Sequence, residues 1–102
     1  MPQKRGSIGE SEMNRAKIYR QAIWKWGKNL QMLMAIEEMS ELQKEICKVI
    51  RGTGLMSRVN MEMADTEIML EQLKVMFDNS EEVAEEKSRK LKRLLERLKV
   101  SK

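Results

Sequence analysis

Residues 31–51 read QMLMAIEEMSELQKEICKVIR and are followed at once by Gly52-Thr53-Gly54. Stepping about 100° per residue, Met32, Ala35, Met39, Leu42, Ile46, Val49 and Ile50 fall on one stripe, the pattern of an amphipathic helix. Glu38, Glu41 and Glu45 line one edge of that stripe, whereas Glu37 points to nearly the opposite side. The glycine-rich triplet is a helix stop. A second striped segment follows, in which Val59, Met63, Thr66, Met69, Leu70, Leu73 and Phe77 share a face. Glu62 falls within this second stripe and Asp65 at its edge, while Glu67, Glu71 and Lys74 take the far side. A carboxylate on a core-facing stripe is costly unless a cation pairs with it.

Outward from this pair, the remaining chain also reads as helix. Met, Leu, Glu, Lys and Ala dominate between the glycines, and the only proline is Pro2. Four helices are expected. The first covers about residues 11–26 and is joined at Gly27 to the second, which runs to about Arg51. Ser57 is placed to cap the third, which continues to about Phe77. Asp78-Asn79-Ser80 is the next break, with Asn79 and Glu82 spaced as a capping box, and the fourth helix runs to the carboxyl end. Residues 1–10 are expected to be a flexible tail and residues 11–102 a single all-α domain. A domain this small buries a modest fraction of its surface, so helix-bundle chains of this size often oligomerise to enlarge the core.

Composition removes several function classes. There is no histidine, which excludes the Glu-x-x-His di-iron bundle and removes the usual base for a serine or cysteine nucleophile. A lone Cys47 excludes a structural zinc site and an intrachain disulfide, and fits a reducing, cytoplasmic setting. No apolar run reaches membrane-spanning length, and no apolar segment follows the charged first residues as in a secretory signal. Gly52-Thr53-Gly54 lacks the Gly-Lys-Ser/Thr of a phosphate loop.

Charge is unevenly spread over a net +4. From residue 87 on, eight basic residues face the single acid Glu96. Val83, Leu91, Leu94 and Leu98 share one face of this last helix, and Lys87 and Lys90 fall on that face. Long lysines can snorkel out of such a stripe, or their ammonium groups can reach phosphates. If the two acid-bearing helices are neighbours, Glu38, Glu41, Glu62 and Asp65 converge. Such a cluster repels itself unless a hard divalent cation such as Mg²⁺ sits among them. Trp24 and Trp26 read first as packing residues of the first helix, and alternatively as flat faces for a nucleobase. The ten methionines are adaptable core filler.

The pattern Glu37-Glu38-x-x-Glu41, a gap, then Glu62-x-x-Asp65 resembles the signature of the all-α nucleoside triphosphate pyrophosphohydrolases. That superfamily takes in MazG, dimeric dUTPases, dCTP pyrophosphatases and phosphoribosyl-ATP pyrophosphohydrolase. Small stand-alone MazG-like proteins are more similar still. The likeness runs through Trp26-Gly27-Lys28, Gln31, residues 36–42, residues 60–70 and Lys87-x-x-Lys90-Leu91-x-Arg93-Leu94. Ser40 departs from the Ala or Gly common among relatives, and the chain is short after the fourth helix.

The resemblance implies a four- to five-helix bundle assembled as a dimer or tetramer. It also implies Mg²⁺-dependent hydrolysis of a (d)NTP to the monophosphate and pyrophosphate, with Mn²⁺ as a substitute, and with Glu38, Glu41, Glu62 and Asp65 holding the metal. Glu41 or Glu45 is then the candidate to orient or deprotonate the attacking water. Lys28, Lys87, Lys90 and Arg93 are candidates for the triphosphate, some of them from a neighbouring subunit. Trp24 or Trp26 would pack on the base and Gln31 would hydrogen-bond to it. The competing expectation is a non-catalytic helical module whose basic last helix contacts nucleic acid or a protein partner. That module leaves the inward Glu62 and Asp65 unexplained, so nucleic acid ranks below a nucleotide.

Overall fold

Four helices account for nearly all of the chain in the computed structural model, which describes the backbone of residues 2–100 and the side chains of residues 14–100. They are α1 (Pro2–Trp26), α2 (Lys28–Ile50), α3 (Met56–Phe77) and α4 (Ser80–Val100), with no strand among the described residues. The tail expected over residues 1–10 falls where side chains lie outside the described residues. None of the described helices is long and apolar enough to cross a membrane.

Three backbone positions set the breaks. Gly27, at φ 90°, separates α1 from α2 in a conformation that only glycine adopts cheaply, and its N–H still donates to Ile23 O at 2.8 Å. After α2 the chain turns through Gly52, at φ 85°. A Cβ on Gly54 would lie 2.6 Å from Val49 Cγ2 and 2.7 Å from Val49 N, so the turn passes too close to α2 for any side chain there. Asp78 ends α3 in the left-handed region, at φ 52°; its N–H donates to Val75 O and the following Asn79 N–H to Lys74 O, each at 3.3 Å.

Two expected caps are not made. The residue preceding α3 is Leu55 with no side-chain cap, because the helix begins at Met56 and carries Ser57 inside its first turn. Asn79 Oδ1, the acceptor a capping box needs, is buried with no partner.

The body of the fold is the long antiparallel pairing of α2 with α3, with α1 laid against both. Its seam is only partly apolar. Ala35, Val59 and Met69 are buried there, and Tyr19 of α1 is buried as well. Alongside them, Gln31 is 2% exposed and Gln72 4% exposed. Gln72 Nε2 donates to Gln31 Oε1, which lets both amides enter a core that would otherwise reject them. The Gln31 amide nitrogen in turn reaches Met34 Sδ at 3.7 Å. Thr66 Oγ1 donates to the carbonyl oxygen of Glu38 at 3.3 Å, a second polar tie from α3 to α2. On the flank toward α1, the Tyr19 hydroxyl donates to Glu71, whose carboxylate also meets Arg15 Nε at 3.7 Å.

Half of each apolar stripe is left without cover. On α2, Met39, Ile46, Val49 and Ile50 are exposed, and on α3 so are Met63, Leu70 and Phe77. The helix α4 buries none of its residues and has no extended packing on the other three. It diverges from the end of α3 around an open notch of about 470 Å³ lined by Leu70, Leu73, Phe77 and Val83, with Lys74 and Lys87 at its mouth.

Candidate metal centre

Helix periodicity and antiparallel pairing together build the acidic centre. Glu38 lies on the α3-facing side of α2, and its own carbonyl oxygen is held by Thr66. Glu62 and Asp65, one turn apart on α3, come up opposite it. One carboxylate oxygen from each of Glu38, Glu62 and Asp65 lies within 4.8 Å of the other two. Glu38 and Glu62 are half-buried and Asp65 is exposed, so the group opens to solvent on the Asp65 side.

The electrostatics follow from this crowding. The Glu38 carboxyl is raised above its ordinary value, first by burial, then by the Asp65 and Glu62 charges, by a hydrogen bond with Glu62, and by Glu41. Glu62 Oε1 is withdrawn from solvent and has no hydrogen-bond partner. An oxygen in that position carries an unpaid desolvation cost, which a bound cation would offset. The donors are all anionic oxygens, the set preferred by Mg²⁺ and Mn²⁺ over softer metals.

Three of the four expected ligands are therefore brought together. Glu41 stands apart, exposed, with its carboxylate 3.9 Å from Lys44 Nζ, although it still acts on Glu38 through space. Glu37 is exposed, as its position on the wheel requires. Glu45 differs from the edge position expected of it. It is only 4% exposed, with Oε2 3.4 Å from Lys48 Nζ and Oε1 unpartnered. The α2–α3 seam is turned toward the acidic border of α2, taking in Gln31, Ala35 and Glu45 and leaving Met39 and Ile46 of the apolar stripe exposed.

The expected substrate residues divide differently. Gln31 is locked into the seam by Gln72 and does not present its amide to a ligand, because a polar side chain on the core-facing side found a polar partner across it. Trp24 is 89% exposed and Trp26 is exposed beneath Lys25, whose ammonium sits 5.4 Å from the ring centroid. Neither indole does the packing first expected of it, since the inner face of α1 is supplied by Tyr19 instead. Lys28 is exposed at the start of α2. Lys87, Lys90 and Arg93 ride on α4 and are not packed against the α2–α3 pair in the same chain.

Two residues that position the centre escaped the pattern of stripes. Thr66 counted as apolar, yet its hydroxyl anchors Glu38, and Gln72 fell outside the stripe altogether. The signal that could have found Thr66 is its hydroxyl at a core-facing helix position, where a polar group needs a partner, and nothing in the pattern marked Gln72. No protein-family model, curated protein or solved structure matches the chain.

Proposed function

We propose that the chain is a Mg²⁺-dependent nucleoside triphosphate pyrophosphohydrolase of the cytoplasm, cleaving (d)NTP to (d)NMP and pyrophosphate to clear unwanted nucleotides. The observation that carries this reading is the Glu38–Glu62–Asp65 group, with its three oxygens within 4.8 Å and a buried, unpartnered Glu62 Oε1. When bound there, the metal would neutralise charge developing between the α- and β-phosphates and make a nearby water more acidic.

The remaining work belongs to the chain. Glu38, Glu62 and Asp65 hold the cation, and Asp65 faces the solvent through which substrate arrives. Glu41 is better placed than Glu45 to orient or deprotonate the water, since Glu45 is shut into the seam with Lys48. The exposed rings of Trp24 and Trp26 offer faces for a base, and Lys28 a charge for phosphate. Lys87, Lys90 and Arg93 stand on a helix held off the body, so they would serve the triphosphate of a neighbouring copy.

The test is a pyrophosphate-release screen over canonical and damaged dNTPs and NTPs with Mg²⁺ or Mn²⁺. Release is expected in wild type and is lost in Glu38→Gln and Asp65→Asn with helicity intact. Wild-type rates in both variants refute the reading. The free-standing basic α4 favours a second reading, a module that binds nucleic acid. That module needs no divalent ion, and its affinity falls steeply with salt.

A further inference from the structure

The outer face of α1 is used neither by the fold nor by the acidic centre. Tyr19 is buried and donates to Glu71 of α3, so it marks the inner side of the helix. At about 100° per residue, Lys17, Gln21 and Trp24 stand about 140–160° from it, and Arg20 about 100°. All four are exposed, Trp24 by 89%, and with Lys25 they line one open hollow on the surface. Trp26 falls about 20° from Tyr19, on the inner side. Of the two indoles, only Trp26 is therefore left for a nucleotide at the metal, and Trp24 faces elsewhere.

We propose that this face binds single-stranded nucleic acid, with Lys17 and Arg20 on phosphates and the Trp24 ring stacked on a base. Charge favours it. Residues 14–36 hold five bases, Arg15, Lys17, Arg20, Lys25 and Lys28, and no acid. Arg15 is taken by Glu71, whereas neither Lys17 nor Arg20 has an ion-pair partner among the described residues. Span favours it too. Lys17 and Trp24 are about 10 Å apart along the helix, the length of about three nucleotides at 3.4 Å each. A duplex keeps its bases stacked inside and gives the ring nothing to stack on, so the ligand is a single strand. A helix that lies in a lipid surface buries a continuous apolar strip, and beside Lys17, Arg20 and Gln21 this face has Trp24 alone. The inference depends neither on the metal nor on the basic α4, because its residues lie on another helix.

The test uses the full chain in EDTA, so that turnover at the metal has no part in it. Fluorescence anisotropy of labelled oligo-dT and oligo-rU of about 12 nucleotides, within the usual site sizes, is expected to report binding that weakens with salt. Trp24→Ala is expected to weaken it about fivefold or more, while Trp24→Phe keeps most of it. Lys17→Ala/Arg20→Ala is expected to reduce the slope of log affinity against log salt by about 1.4, the value for two phosphate contacts on a single strand. In Trp26→Phe, where Trp24 is the one remaining indole, oligo-dT is expected to quench the emission. Binding of neither oligonucleotide, a Trp24→Ala affinity equal to wild type, or an unquenched Trp24 overturns the inference. Equal quenching by polyglutamate overturns it and assigns the face to an acidic polypeptide. Quenching by phosphatidylserine–phosphatidylcholine vesicles without oligonucleotide binding overturns it and assigns the face to a lipid surface.

Discussion

Replacing Glu62 by glutamine separates a cost of folding from a gain on binding. In the metal-free protein Glu62 Oε1 is buried without a partner, and its carboxylate helps raise the Glu38 carboxyl. An unsatisfied buried polar atom costs about 1–3 kcal/mol. Glu62 is only half-buried, so the lower end applies, and the amide of Glu62→Gln can donate to Glu38 where the carboxylate repels it. The variant is therefore expected to be more stable than wild type in EDTA, by about 1 kcal/mol. For a domain near this size that is a rise of about 4–8 °C in Tm. Mg²⁺ reverses the order. A ligand at a hundred times its dissociation constant adds about 2.7 kcal/mol to wild type, on the order of 10 °C, and adds little to a variant missing one of three carboxylates. Thermal melts followed by circular dichroism, at one protein concentration with EDTA or Mg²⁺, read both effects. A variant less stable than wild type in EDTA that keeps the full Mg²⁺ response would refute the reasoning.

Two further outcomes follow from the core. The Tyr19 phenol, the only tyrosine, is pushed up to about 12 by burial, then by its hydrogen bond to Glu71 and the Glu71 charge. Below pH 10 the folded and unfolded states both keep the proton; between 10 and about 12 only the unfolded state releases it, so stability falls across that window. Phenolate absorbance should appear only with unfolding, and the Tyr19→Phe variant should lose this part of the alkaline decline. Gln72→Leu strands Gln31 Oε1 in the seam and is expected to cost about 1–3 kcal/mol in urea unfolding. Gln31→Leu/Gln72→Leu should recover most of that loss, and strict additivity of the two single changes would contradict the pairing.

The helical content and the breaks at Gly27, residues 52–54 and residues 78–79 were legible because periodicity and glycine act locally. The facing of Glu38, Glu62 and Asp65 was legible for the same reason, since a wheel predicts which side a carboxylate takes. What could not be read was which neighbour each side would meet. The stripes of α2 and α3 are broader than one helix can cover, so Met39 and Leu70 are striped but exposed. Gln31 looked like a reader of bases because nothing local announces Gln72, forty-one residues away, as its partner. Trp24 looked like core because size and apolarity carry no direction; only the packing of Tyr19 shows that its helix turns the other way. Ser57 failed as a cap because the turn at Gly54 starts α3 two residues sooner than a serine cap would.

The Gln31–Gln72 pair also acts as a gauge of length. A seam whose buried apolar residues are Ala35, Val59 and Met69 is forgiving, and α3 could slide along α2 by one turn, about 5.4 Å, while still burying methyl groups and a thioether. After such a slide Glu62 would no longer stand opposite Glu38, and the carboxylates would be dispersed along the groove. The two amides do not tolerate the shift, because each would be left buried beside hydrocarbon. One polar contact, with the Thr66 hydroxyl on the Glu38 carbonyl, thus turns a continuous sliding coordinate into a single allowed setting. The spacing of the acidic centre is set by two ties, one beside it at Thr66 and one about two turns along the pair at Gln31 and Gln72.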